Sequence, residues 1–189
     1  MKHDGLTVRA GSAYLYDSDS SLHLVNNAYY SPNSCKGLAI IKISRGFQFN
    51  RKIQPVKFDN NGFITKNTVG RILNWSSKNA YDDMWGESNQ LQIFEIFGLD
   101  KQCKESYRFP WGTPQSCKFD CIPQLGGNAV ATHGAPYIIK GKLAGFITYT
   151  TGFINEPLMI ELLSSSKKLD IINLIRGDNE NRPSILIPV

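Results

Sequence analysis

Few side chains in this sequence are equipped for chemistry. It holds three histidines, His3, His23 and His133, and four cysteines, Cys35, Cys103, Cys117 and Cys121. His133 stands out by its surroundings, Gly126-Gly127-Asn128-Ala129-Val130-Ala131-Thr132-His133-Gly134-Ala135-Pro136. A backbone so rich in small residues makes close approaches or unusual turns. A phosphate-cradling loop would need a Lys-Ser/Thr sequel and a strand-then-helix setting. Neither follows, so P-loop and dinucleotide chemistry are set aside. His23 lies in the strand-like segment 22–25 and reads as a packed or surface side chain, and His3 is terminal. Cys117 and Cys121 are followed by His133, but no second Cys or His pair has zinc spacing. No metal and no cofactor is therefore expected. The adjacent carboxylates Asp82 and Asp83 sit in a Trp- and Gly-containing loop and read as a solvated turn.

The elements that must position these residues are short strands. Leu6-Thr7-Val8-Arg9-Ala10 alternates and stops at Gly11-Ser12, and Leu22-His23-Leu24-Val25 alternates again. Leu38-Ala39-Ile40-Ile41-Lys42-Ile43 is a nearly continuous apolar run, the pattern of a strand buried on both faces. Turn residues punctuate the runs at 17–20, 31–34 and 59–62. Segments 69–73 and 90–96 continue the theme. Tyr137 to Ile147 reads as a hairpin around Lys140-Gly141-Lys142. Short strands with frequent turns predict an all-β barrel or sandwich. Near the C-terminus, Ser164-Ser165-Ser166 can cap a helix in which Leu169, Ile172, Leu174 and Ile175 share one broad face, ended by Gly177.

Composition sets the outer limits. The chain has 189 residues, 41% hydrophobic and 20% charged, with a net charge of +5. A chain of that length buries roughly 70% of its unfolded surface and forms one or two small domains. Disorder is excluded as its main state. No run of 18 apolar residues exists, so no membrane-spanning helix and no membrane partner is expected. The basic excess is spread thinly, without a stripe interleaved with aromatics, so nucleic acid is not an expected partner. The N-terminus shows no apolar segment with a cleavage site, hence no visible signal peptide.

Several of these segments, in this order, resemble one family. Leu6 to Ser12, Ala39 to Ile43 and Ile53-Gln54-Pro55-Val56 are similar to first-barrel landmarks of trypsin-like serine proteases. Trp75 resembles the tryptophan that opens the second barrel. Thr132-His133-Gly134-Ala135-Pro136, followed by Gly145-Phe146-Ile147-Thr148-Tyr149, resembles the family's Asp-Ser-Gly-Gly-Pro and its Gly-Ile-Val-Ser-Trp strand. The resemblance covers roughly residues 6 to 175. It implies two antiparallel β-barrels and a C-terminal helix, with the first barrel incomplete at its N-terminus. The expected organisation is a partial barrel over 1–57, a linker over 58–67, a second barrel over 68–163, a helix over 164–176 and a tail over 177–189.

Departures from the family pattern fall on the catalytic positions. His133 occupies the place of the nucleophilic serine. Thr132 replaces the aspartate that pairs with the freed N-terminus. Gly37 stands where the carboxylate that orients the catalytic histidine is expected. The segment carrying that histidine is expected before residue 6, and His3 sits too late to replace it. The triad needs a nucleophile, a base within reach and a carboxylate to hold the base. An imidazole at 133 cannot form the usual acyl ester. Ala131 replaces an oxyanion-hole glycine, which restricts the loop. Gly127 aligns near the floor of the primary pocket, where trypsins carry an acidic residue. Thr150 and Leu158 align with wall positions that are usually glycine, so their side chains are expected to fill the slot.

The cysteines follow the same register. The resemblance implies a disulfide between Cys103 and Cys117. Two other family bridges have lost both ends together, Ala129 with Phe153 and Gly70 with Ile139, as a physical cross-link predicts. Cys35 and Cys121 have no family counterpart; pairing with each other, bridging to a partner and remaining free stay open. Asn74-Trp75-Ser76 is an N-glycosylation sequon, which matters only in a secreted chain.

Among degraded members of this family, the sequence is most similar to the inactivated, triad-lacking protease paralogues of parasitic mites. That resemblance implies secretion, protein partners, host defence proteins such as complement among them, and action by binding rather than cleavage. A second reading is an N-terminally truncated serine-type endopeptidase with residual or atypical activity. It needs a serine near the missing histidine, and Ser12, Ser76 and Ser164 lack supporting neighbours. A third is a truncated product without a function of its own, its opened first barrel exposing strand edges.

Overall fold

A computed structural model of the chain describes residues 5–30, 39–59, 64–65, 67–76, 87–98, 120–122, 133–149, 158–163 and 185–186. The described residues form strands and turns, and the chain divides into two units, Met1–Val56 with Ser165–Val189, and Lys57–Ser164. The helix expected over 164–176 lies outside the described residues.

The first unit holds β1 (Thr7–Ala10), β2 (Ser21–Tyr30), β3 (Ala39–Ile43) and β11 (Ile185–Leu186), an antiparallel sheet in the order β1-β2-β3-β11. The alternation read at 6–10 and 22–25 is the β1–β2 ladder, with Val8 opposite His23 and Arg9 opposite Leu22. Asp17 organises the connection between them. Its Oδ1 accepts the Asp19 N–H at 2.9 Å and its Oδ2 accepts the Ser12 hydroxyl at 2.5 Å. Arg9 Nη1 donates to the Asp17 carbonyl and to Ser20 Oγ, each at 2.6 Å. The Ser12 hydroxyl, and then the Asp19 amide, hold the Asp17 carboxyl below its ordinary range. In β3, Ile40 and Ile43 lie on opposite faces and both are buried. The expected cover on both faces is thus partial, since Ile41 and Lys42 stay half-buried and Ala39 is exposed.

The second unit holds β4 (Lys57–Phe58), β5 (Val69–Ser76), β6 (Glu87–Phe97), β7 (Asp120–Ile122), β8 (Pro136–Ile139), β9 (Lys142–Tyr149) and β10 (Leu158–Leu162). Its sheet runs β6-β5-β8-β9-β10-β7, with β4 pairing parallel to β9. The polar segment read as a linker therefore starts as a strand of this unit, its Asp59 buried and the Asp59 N–H bonded to the Leu143 carbonyl at 2.8 Å. The core gathers Ile72, Ile96, Ile122, Tyr137, Ile147 and Ile160 with their neighbours. The β8–β9 hairpin turns through Lys140 (φ 49°) and Gly141 (φ 73°), between the paired residues Ile139 and Lys142. Two successive positive φ angles are those of the tight two-residue hairpin turn, and glycine adopts them without steric cost.

Candidate functional site

His133 lies on the turn that feeds β8, and the side chain is exposed. The next residue, Gly134, has φ 83°. The Gly134 N–H donates to the Ile147 carbonyl at 2.7 Å, and the Ile147 N–H donates to the Ala135 carbonyl at 2.9 Å. These bonds carry the β8–β9 ladder past Pro136, which pairs with Phe146. Residues 133–135 are thereby fixed on β9, although the sequence there is small and turn-prone. Buried Ala135 and Pro136 anchor the same segment from the inside.

Strand order brings a second predicted residue to the same end of the sheet. β9 ends at Tyr149, opposite Met159, and Leu158 begins β10. Leu158 pairs with Ile122 of β7 and is fully buried in the core. The start of β8, the end of β9 and the start of β10 thus share one edge, with His133 exposed there and Leu158 packed inside. Gly37, Gly127, Ala131, Thr132 and Thr150 lie outside the described residues, as do Cys35, Cys103, Cys117 and His3. Cys121 occupies β7 opposite Met159.

An exposed imidazole on a backbone-fixed turn can exchange a proton or meet a ligand. It supplies no hydroxyl for acyl transfer. Among the described residues, no group of three His, Cys, Asp or Glu side chains is arranged to hold a metal ion. No described helix is long and apolar enough to cross a membrane.

The remaining sequence candidates sit elsewhere. The His23 ring packs against Phe47 with centroids 4.3 Å apart. Its Nδ1 lies 3.0 Å from the Arg45 carbonyl and its Nε2 lies 3.0 Å from Ser21 Oγ. It ties β2 to the segment after β3, which is a packing role. Asn74 is buried on the core side of β5, in register with Gln92. The sequon's amide is therefore not presented at the surface of this fold.

Alternation in the sequence does not reveal the burial of two further polar residues, Tyr137 and Glu161. Glu161 is buried within β10, whose five residues are all buried. Tyr137 is fully buried, and its hydroxyl has no hydrogen-bond partner among the described residues. Burial pushes the Tyr137 phenol up to about 12. The one available signal was the continuous run Leu158-Met159-Ile160 ahead of Glu161, which reads as a fully buried strand.

No protein-family model and no curated protein matches the chain.

Proposed function

We propose that this chain is a trypsin-like serine protease homologue that has lost catalysis and acts by binding other proteins. The reading includes the finer architecture of the resemblance, two antiparallel barrels closed by a helix over 164–176. It rests on the His133 turn. Residues 133–136 run into β8, the turn is pinned to Ile147 of β9, and the side chain it presents is an imidazole. A hydrolase of this type needs a hydroxyl there, with a base and an orienting carboxylate in reach. Gly37, in the carboxylate's aligned place, offers none.

A second observation supports the same register. β5 pairs antiparallel with β8, Arg71 opposite Ile138 and Ile72 opposite Tyr137. One residue further, the same register sets Gly70 opposite Ile139. These are the two positions at which the resemblance implies a bridge lost from both ends. Opposite residues on paired antiparallel strands lie at a separation a disulfide can span.

In this reading the protein is secreted, takes no cofactor, and meets host defence proteins, complement components among them, through its surface. A filled primary pocket, with Leu158 in its wall, suits binding without cleavage. The test is a sensitive peptidase assay on the pure chain beside its His133→Ala variant. Turnover at background level in both is expected. Turnover that disappears in His133→Ala overturns the reading.

A further inference from the structure

The outer face of the β5–β6 ribbon carries a pattern that a second copy of the chain would match. Val69, Arg71 and Leu73 of β5 stand opposite Phe97, Glu95 and Ile93 of β6. These six share one face, because alternate residues of a strand point the same way. The other face of the ribbon carries Ile72 and Ile96 into the core. On the outer face Val69, Ile93 and Phe97 are 46%, 62% and 62% exposed. Arg71 and Glu95 form an ion pair at 2.8 Å, with side chains 61% and 58% exposed. Single exposed apolar residues are ordinary. Here one apolar pair lies on each side of one ion pair, all in register.

We propose that this face is a self-association surface, joining two copies about a two-fold axis that runs along the strands, midway between β5 and β6. That axis lays β5 of one copy over β6 of the other. Arg71 then faces Glu95 of the second copy, and Glu95 faces Arg71 of the second copy, a reciprocal arrangement. Val69 meets Phe97, and Leu73 meets Ile93, each twice. The perpendicular axis in the same plane stacks Arg71 on Arg71 and Glu95 on Glu95, so repulsion disfavours it. That axis also brings Val69 onto Leu73 and Phe97 onto Ile93, so apolar burial does not discriminate and the charges alone select one orientation out of the two.

The pattern is short. Val69 to Leu73 spans about 13 Å of strand at roughly 3.3 Å per residue. Two strands of that length cover far less than the roughly 800 Å² per partner of a stable dimer. The association is accordingly weak, with a dissociation constant on the order of 0.1–1 mM. It is independent of the reading of His133.

Sedimentation of the full chain across micromolar to millimolar concentration tests this, with Arg71→Glu and Glu95→Arg as variants. Wild type is expected to associate as concentration rises, and less so in high salt, which screens exposed charges. Each variant alone sets like charges across the axis and is expected to bind itself about tenfold or more weakly. An equimolar mixture of the two variants restores opposite charges at every crossing and is expected to associate at least as well as wild type. Both substitutions are at exposed positions, and thermal melts of each variant check that it is folded. A wild type that stays monomeric throughout overturns the proposal. So does a mixture that associates no better than its components.

Discussion

The Tyr137 ring occupies the space into which a Cβ on Gly70 would project, with ring carbons and the phenolic oxygen all in overlap with it. Gly70 lies on β5 and Tyr137 on the neighbouring β8, and both face the core. The missing side chain on one strand is thus the room taken by an aromatic ring on the next. The ring's burial is favourable, whereas its hydroxyl enters the core without a partner among the described residues.

Gly70→Ala is expected to destabilise the protein by about 1–3 kcal/mol, because the new methyl overlaps a fully buried ring. Tyr137→Phe removes a buried hydroxyl that has no partner among the described residues, and is expected to leave stability unchanged or raise it by about 1 kcal/mol. Chemical denaturation midpoints measure both. A Tyr137→Phe variant less stable than wild type would show that the hydroxyl is bonded.

The same phenol sets an alkaline limit. Burial raises it from 10.0 to about 12 in the folded chain. Below pH 10 the phenol is protonated in both folded and unfolded chains, and its contribution is fully present. Between pH 10 and about 12 the unfolded chain releases a proton that the folded chain retains. Stability then falls with rising pH, by at most about 1.4 kcal/mol per pH unit. The wild-type minus Tyr137→Phe difference in stability is expected to be flat up to pH 10 and to decline above it. A difference that stays flat to pH 12 contradicts the assignment.

The proposed placement of Gly70 opposite Ile139 can be tested by engineering a bridge between them. Gly70→Cys with Ile139→Cys places two thiols opposite each other, and Tyr137→Leu clears the ring from between the strands. The triple variant is expected to form an intramolecular disulfide on mild oxidation, seen as two fewer reactive thiols than in its reduced form. Thiols that stay reactive after oxidation would show that these positions are not in bridging register.

The hairpin 137–147 was legible because alternation and a tight-turn dipeptide coincide there, and β1 and the first part of β2, Leu22 to Val25, were legible from alternation, whereas the continuation of β2 to Tyr30 was not. β10 was not, because Leu158 to Leu162 is buried throughout and lacks a two-residue period, with Glu161 interrupting the apolar run. β11, two residues long, is too short to leave a pattern. At the candidate site, the small residues around His133 correctly signalled a constrained turn, Gly134 having a positive φ. The Tyr137–Gly70 fit was invisible because it joins strands far apart in sequence. Composition and periodicity do not say which side chain fills the gap above a glycine.

The proposed loss of catalysis, with an imidazole at 133 in place of the attacking hydroxyl, predicts that the chain carries no activated serine. Intact-mass analysis after exposure to a fluorophosphonate, which phosphonylates activated serines, tests it most directly. The folded protein is expected to keep its unmodified mass, as the heat-denatured chain does. A stoichiometric adduct on a serine of the folded chain, absent after denaturation, would contradict it.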